Sequence, residues 1–210
     1  MHSNKTIFIN IDQNFDESIK LAQELFLKGS IFIYPTDTIY GFGGNPFNDE
    51  VIEKISDIKG KRNWRRYIFL ISSIDVLKSY VEIKSEKHLD FLLSIWPNPV
   101  SVILKLNKHY QEILKMETGA FRIPNHRFCM KLVSELKMPL ISTSVNRTGT
   151  EPLNDPSMIM EEFANEVDAI FYTESKSFVE ASTIIDLSSD EPKFIREGRI
   201  KFVDLKEKLS

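Results

Sequence analysis

Ile31-Phe32-Ile33-Tyr34-Pro35-Thr36-Asp37-Thr38-Ile39-Tyr40-Gly41-Phe42-Gly43-Gly44 is the stretch from which the fold can be read. Ile31 to Tyr34 form a short apolar run, the pattern of a buried strand. Pro35 ends the ladder, because it has no N–H to donate and its φ is fixed. A hydroxyl-rich turn, Thr36-Asp37-Thr38, follows, and then three glycines in four residues. Strand, proline, polar turn and glycines together describe a strand end opening into a pocket, and pockets of open α/β sheets lie beyond strand carboxyl ends. A dinucleotide-binding fingerprint fits poorly: Pro46 stands where the third glycine belongs, and no helix opens directly after the glycines. They read instead as a turn needing positive φ or as a site loop. Thr and Asp beside them favour the site loop.

The chain around this stretch has 210 residues, enough for one domain, 1–210, with a substantial core. Hydrophobic residues at 42% and charged residues at 27% are those of a soluble globular protein. A net charge of −3 argues against indiscriminate coating of nucleic acid, so any basic site has to be local. The single Cys129 excludes an internal disulfide framework and a cysteine-cluster metal site, and its place in an amphipathic helix reads as a buried thiol. No opening signal peptide and no membrane-length apolar run are apparent, which points to a reducing cytoplasm and no membrane partner.

The order of elements is α/β. Thr6 to Ile11 reads as a strand, and Phe15, Ile19, Ala22, Leu25 and Phe26 recur at helical spacing up to Gly29. After the central stretch, Asn48 suits the N-cap of a helix carrying Val51, Ile52, Ile55 and Ile58. That helix runs into Lys59-Gly60-Lys61-Arg62-Asn63-Trp64-Arg65-Arg66, with five basic residues in eight. The run is either a solvated face or a set of cations converging on an anion beside the sheet.

Tyr67 to Ile71 reads as a strand, Ser73 to Tyr80 as a short helix, and Ser85 to Trp96 as a longer one with Leu89, Leu92, Leu93 and Trp96 on one face. Strands follow over Val100 to Leu106 and Thr118 to Ile123. Asn125 suits the cap of a helix with Phe128, Leu132, Val133 and Leu136 inward, and Pro139 to Ser144 returns to the sheet. Val145 to Asp155 is polar and turn-forming, a closing lid or a surface loop. Asp155-Pro156 starts a helix. Ala169 to Tyr172, Ala181 to Leu187 and Phe194-Ile195 are further strands, and Val203 to Leu209 a last short helix.

The chemistry-bearing residues fall at strand ends. There is no Walker A sequence, the four histidines have no metal-ligand spacing, and no nucleophile elbow supports a serine–histidine–acid site. What remains is Thr36 and Thr38, the 59–66 run, Arg122, Ser142 and Ser144, Ser182 and Thr183, and Arg196. Cations with hydroxyl donors suit a polyanionic substrate whose charge is stabilised by positioning.

Tyr34 to Gly43 resembles the PTDTVYGLG signature of the YrdC/Sua5 family, the threonylcarbamoyl-AMP synthases. Further resemblances follow in family order: Ile58-Lys59-Gly60-Lys61-Arg62, Trp96-Pro97-Asn98-Pro99, Phe121 to His126, Ser142-Thr143-Ser144-Val145-Asn146, Ala181 to Asp186, and Ile195-Arg196-Glu197-Gly198. The resemblance implies a twisted mixed β-sheet flanked by helices, with a central concave basic cavity. It also implies conversion of L-threonine, bicarbonate and ATP to L-threonylcarbamoyl-adenylate and pyrophosphate, ahead of threonylcarbamoylation of tRNA.

By position, Thr38, Arg122, Ser142 and Ser182 would bind L-threonine. Lys59, Lys61, Arg62, Arg65, Thr118, Ser144, Asn146 and Arg196 would bind ATP, with Lys61, Arg65 and Arg196 as the catalytic cations. ATP with Mg²⁺ enters as substrate, and no tightly bound cofactor or protein-held metal is implied. Implied partners are the tRNA threonylcarbamoyl-transferase proteins downstream, with tRNA or double-stranded RNA as a direct ligand. The chain resembles the short form, without the additional C-terminal Sua5 domain. It departs from the family pattern at the missing proline after Lys61-Arg62, at Arg66-Tyr67, at Asn98, Ser101 and Val145, and at Ala181, where Glu is usual. Two alternatives are a YciO-like paralogue with altered or lost activity and an RNA-binding module using Lys59 to Arg66 with Trp64 as a stacking residue.

Overall fold

The structure, a computed structural model, describes residues 5–60, 67–175, 180–189 and 191–209. Its strands are β1 (Ile7–Asn10), β2 (Phe32–Tyr34), β3 (Gly41–Gly43), β4 (Ile68–Leu70), β5 (Val100–Lys105), β6 (Thr118–Arg122), β7 (Leu140–Ser144), β8 (Ala169–Tyr172), β9 (Thr183–Asp186) and β10 (Lys193–Arg196). They form one ten-stranded mixed sheet in the order β1-β8-β2-β3-β7-β4-β6-β5-β9-β10. The helices are α1 (Phe15–Leu27), α2 (Asp49–Ile58), α3 (Ile74–Lys78), α4 (Glu86–Ile95), α5 (Lys108–Leu114), α6 (Arg127–Leu136), α7 (Pro156–Phe163) and α8 (Phe202–Leu209). Among the described residues no helix is long and apolar enough to cross a membrane.

Alternation along the strands assigns each side chain to a layer. Phe32 and Tyr34 of β2, Ala169 and Phe171 of β8 and Leu140 of β7 pack with α1 and α6, through Ala22, Phe26, Phe128 and Leu132. Ile33, Ile170 and Ile141, one residue out of phase, face the larger opposite core with Val51 and Ile55 of α2, Leu92 of α4 and Phe163 of α7. The first face is roofed by α1 and α6 at the β1-β8-β2 end. Over β7, β4, β6, β5 and β9 the same face carries Ser142, Ile68, Ala120, Arg122, Ile103 and Ile184, which line a cavity instead of a helix interface.

Local chemistry fixes the helix ends. The Asn48 side chain accepts from the Glu50 N–H, Ser73 from Val76, Ser85 from His88, and Asp155 from Ser157 and Met158, each satisfying an otherwise orphaned donor. α1 ends with Gly29 at φ +71°, the Ser30 N–H donating to the Leu25 carbonyl at 2.9 Å and the Gly29 N–H to that of Phe26 at 3.2 Å. This is the paired geometry of a glycine-terminated helix.

Four expectations are corrected and one helix is added. The glycine stretch is not a loop: Gly41–Gly43 is a strand, paired antiparallel to β2 and β7. A Cβ on Gly43 would stand 2.6 Å from the Tyr34 ring and 2.7 Å from that of Phe32, so glycine is needed for close approach rather than for a positive φ. In α4 the buried face is Phe91, Leu92 and Ile95, and Leu93 is exposed. Asn125 does not cap α6; His126 occupies that position without a side-chain cap bond, and the Asn125 N–H donates to Asp37 Oδ2 at 3.0 Å. The Lys108–Leu114 helix was not anticipated, since Leu114 is its one fully buried residue. Residues 145–155 are tied down rather than poised as a lid. The Thr148 N–H donates to Lys59 O at 2.9 Å, the Leu153 N–H to Val145 O at 2.8 Å, and Asn154 Oδ1 accepts from the Tyr40 N–H at 3.0 Å.

Candidate functional site

A cavity of about 480 Å³ opens over the uncovered part of the sheet. Thr38, Thr118, Arg122, Ser142, Ser144, Ser182 and Arg196 all line it, so the central turn and the ends of β6, β7, β9 and β10 converge on one space. Ile39, Tyr67, Ile68, Ile103, Met116, Ile184 and Ile195 supply apolar walls. Its described lining contains two guanidinium groups and no carboxylate, so it is a basic cavity despite the acidic chain. Lys61, Arg62 and Arg65 lie outside the described residues, as does Trp64.

Arg122 is the centre of the polar wall and is only 1% exposed. Its Nη1 donates to Thr38 Oγ1 at 3.0 Å, and its Nη2 lies 3.4 Å from Asp37 Oδ1. Its Nε is buried without a hydrogen-bond partner, and so is Asp37 Oδ1. The hydroxyls beside it have a fixed polarity. Thr36 Oγ1 donates to the Ile39 carbonyl at 2.8 Å and lies 2.9 Å from Thr38 Oγ1. Since a hydroxyl has one hydrogen, Thr38 must be the donor to Thr36. Hydrogens therefore run from Arg122 to Thr38 to Thr36 to Ile39, and Thr38 faces the cavity as an acceptor.

The other polar groups are positioned by backbone. Ser182 Oγ lies 2.9 Å from Ser101 Oγ, and the Ser182 carbonyl accepts from Arg196 Nη2 at 2.8 Å and Nε at 3.2 Å. The Arg196 residue is exposed as a whole, but its guanidinium end turns inward, where burial first and the like charge of Arg122 second lower its pKa. Among the described residues no carboxylate stands within ion-pair distance of Arg196. Tyr34, fully buried, donates to the Ile141 carbonyl at 3.0 Å, and burial holds its pKa well above the usual tyrosine range.

Lys59 and Asn146 sit at the edge of the site and do not line it. Lys59 Nζ donates to the Ser144 carbonyl at 2.6 Å, to Asn146 Oδ1 at 2.9 Å and to the Asn146 carbonyl at 3.1 Å. Its ammonium ties α2 to the loop after β7, and burial pushes its pKa from 10.5 down to about 8. The unfolded chain then binds the proton more tightly between pH 8 and 10.5, so this residue's contribution to stability rises with pH through that window. Lys59→Met is expected to cost roughly 1–3 kcal/mol by orphaning these acceptors. It should also flatten the rise, as urea midpoints across the window will show.

Sequence reasoning missed Asp37 as the partner of Arg122, Ser101 as that of Ser182, and Arg199, whose Nη1 donates to the Asp37 carbonyl at 2.8 Å. Asp37 lay in plain view inside the quoted turn, but its pairing with β6 is a long-range contact. Cys129 is buried beneath the turn, where burial raises its pKa and keeps it an unreactive thiol.

Comparison with known proteins adds independent observations. Residues 24–198 match the Sua5_yciO_yrdC family model, described as telomere recombination. The structure of P. abyssi Sua5 complexed with L-threonine superposes with a TM-score of 0.87 at 23% identity, over 97% of this chain and 61% of that one. A double variant of the same protein gives 0.86 at 24%, over 96% and 60%. E. coli YciO gives 0.83 at 25% identity, over 94% of this chain and 97% of that one. The chain thus spans about 60% of the length of the Sua5 chains it matches, and that likeness is one of fold.

Proposed function

This chain belongs to the Sua5–YciO–YrdC family, and from that premise we propose that it is an L-threonylcarbamoyladenylate synthase. The observation that carries the reading is buried Arg122, with a guanidinium edge whose Nε has no hydrogen-bond partner, in the wall of a cavity whose described lining has two guanidinium groups and no acid. An arginine edge of this kind takes a carboxylate with two parallel hydrogen bonds. Its neighbour Thr38 is an acceptor, suited to the amine or hydroxyl of the same amino acid. A relative, P. abyssi Sua5, has been solved with L-threonine bound.

The reaction asks for positioning rather than for a covalent enzyme intermediate. The threonine amine and bicarbonate combine with loss of water to give a carbamate. A carbamate oxygen attacks the α-phosphorus of ATP, and the bond to pyrophosphate breaks. Arg122, with the Ser142 and Ser182 hydroxyls, holds the amino acid. Arg196, reinforced by Lys61 and Arg65 of the basic run, stabilises the charge that gathers on pyrophosphate. Mg²⁺ accompanies ATP. The product carries an activated threonylcarbamoyl group, which a tRNA threonylcarbamoyl-transferase consumes.

Selectivity tests the assignment. Serine lacks one methyl and should lose about 1 kcal/mol in affinity. Valine should lose more, because it leaves the hydroxyl's partner unpaired. Calorimetric titration with the three amino acids checks this, and equal binding of all three contradicts it. A second reading, a YciO-like paralogue of altered activity, is favoured by the match to 97% of E. coli YciO. Threonine-independent behaviour in the same titration would support it.

A further inference from the structure

Arg199 does not line the cavity and has no part in the reaction proposed above, yet its side chain reaches the turn that forms one cavity wall. It stands just beyond β10, the last strand in the sheet order, and its Nη1 donates to the Asp37 carbonyl at 2.8 Å. Asp37 follows β2, and β3, β7, β4, β6, β5 and β9 all lie between β2 and β10. The sheet has to curl around the cavity for the two to meet. The base of Arg199 is itself fixed. Its N–H donates to the Ala181 carbonyl at 3.0 Å, and on either side the Gly198 and Ile200 N–H groups donate to Thr183 Oγ1 at 3.0 and 3.1 Å. Thr183 is fully buried at the start of β9.

The carbonyl that Arg199 holds belongs to the peptide unit joining Asp37 to Thr38. Such a unit is planar, so its carbonyl and its N–H point in fixed, opposite directions. Both ends are held here: the carbonyl by Arg199, and the Thr38 N–H by Thr36 Oγ1 at 3.0 Å. A guanidinium donor makes the first of these a charge-assisted bond, stronger than one from a neutral donor. With the plane fixed, Thr38 is aimed, and its Oγ1 accepts from Arg122 Nη1 at 3.0 Å in the cavity wall. We infer that Arg199 is a positioning residue: by holding the Asp37–Thr38 peptide it sets the orientation of Thr38, and through it the Thr38–Arg122 contact. The inference deepens the amino-acid reading of the cavity and depends on it for the choice of L-threonine as a probe.

Arg199→Met keeps the stem and removes the donors. L-threonine affinity, read by calorimetric titration, should fall about tenfold. Arg199→Lys should stay within about threefold of wild type, because a carbonyl needs only one N–H. In a Thr38→Val background the Arg199→Met change should lower affinity by less than about twofold, since the group it orients is gone. Wild-type affinity in Arg199→Met, or the full loss persisting in the Thr38→Val background, overturns the inference. A role in stability alone would lower the melting temperature and give one of those two results. Amide exchange supplies a measurement that needs no ligand. The Thr38 N–H should exchange about tenfold faster in Arg199→Met than in wild type, and an unchanged rate overturns the inference. If wild type fails to bind L-threonine, the amino-acid reading falls, and this exchange rate still decides whether Arg199 holds the peptide.

Discussion

Arg122→Lys is expected to raise the apparent constant for L-threonine at least tenfold, about 1.4 kcal/mol, and to lower the melting temperature at the same time. The first effect follows from losing the planar fork. A lysine ammonium keeps the charge but cannot offer two parallel donors to a carboxylate. The second follows from the two internal contacts that the guanidinium makes simultaneously, to Thr38 Oγ1 and to Asp37 Oδ1. One ammonium at the end of a flexible stem cannot serve both and also face the cavity. ATP affinity should stay near that of wild type, since Arg122 acts on the amino acid. Differential scanning calorimetry and threonine titration on this one variant measure both effects. Unchanged threonine dependence with a lowered melting temperature would reduce Arg122 to a structural ion pair.

Gly198→Ala should be the most damaging glycine-to-alanine change among the described residues. A Cβ there would sit 2.7 Å from the Ser182 carbonyl carbon and 2.8 Å from its oxygen, with the Ala181 carbonyl closer still. These are backbone atoms and cannot rotate away, so the start of β9 has to move. Overpacking of this kind costs roughly 1–3 kcal/mol, and more where backbone is involved. The displacement falls on the site itself, because the Ser182 carbonyl is what Arg196 grips and the Ser182 hydroxyl lines the cavity. A lowered urea midpoint together with weakened threonine binding is therefore expected. Gly149→Ala is the control: at φ +92° it is strained, yet its Cβ meets nothing within 4 Å, and it should leave threonine binding unchanged.

The parts of this protein that local chemistry dictates were legible in the sequence. Asn48, Ser73, Ser85 and Asp155 sit where helix caps belong, and each makes the bond a cap makes. Alternation in Phe32-Ile33-Tyr34 and in Ala169-Ile170-Phe171 sorts side chains between the two cores. Family motifs pointed to seven residues that line one cavity, although nothing in their spacing says that Thr38 and Arg122 touch.

What was not legible depends on long-range contact. Gly41 and Gly43 look like turn residues until Tyr34 and Phe32 are placed against Gly43. Lys59 looks like the first cation of a solvated or anion-binding run, but its ammonium is spent on the Ser144–Asn146 loop. For Arg122, an internal ion pair and a ligand-facing fork looked like competing roles. The structure gives it an ion contact on Nη2 and a buried, unpartnered Nε, so the ion pair does not use all of its donors. Asp37 was not legible as the partner of Arg122 because the two meet only through a long-range contact.

Pyrophosphate release from ATP, followed with and without L-threonine in bicarbonate buffer, tests the proposed synthase most directly. The account predicts release that requires both threonine and bicarbonate, and that collapses when bicarbonate is removed. Release at the same rate without threonine, or none with all three substrates and Mg²⁺ present, would contradict it.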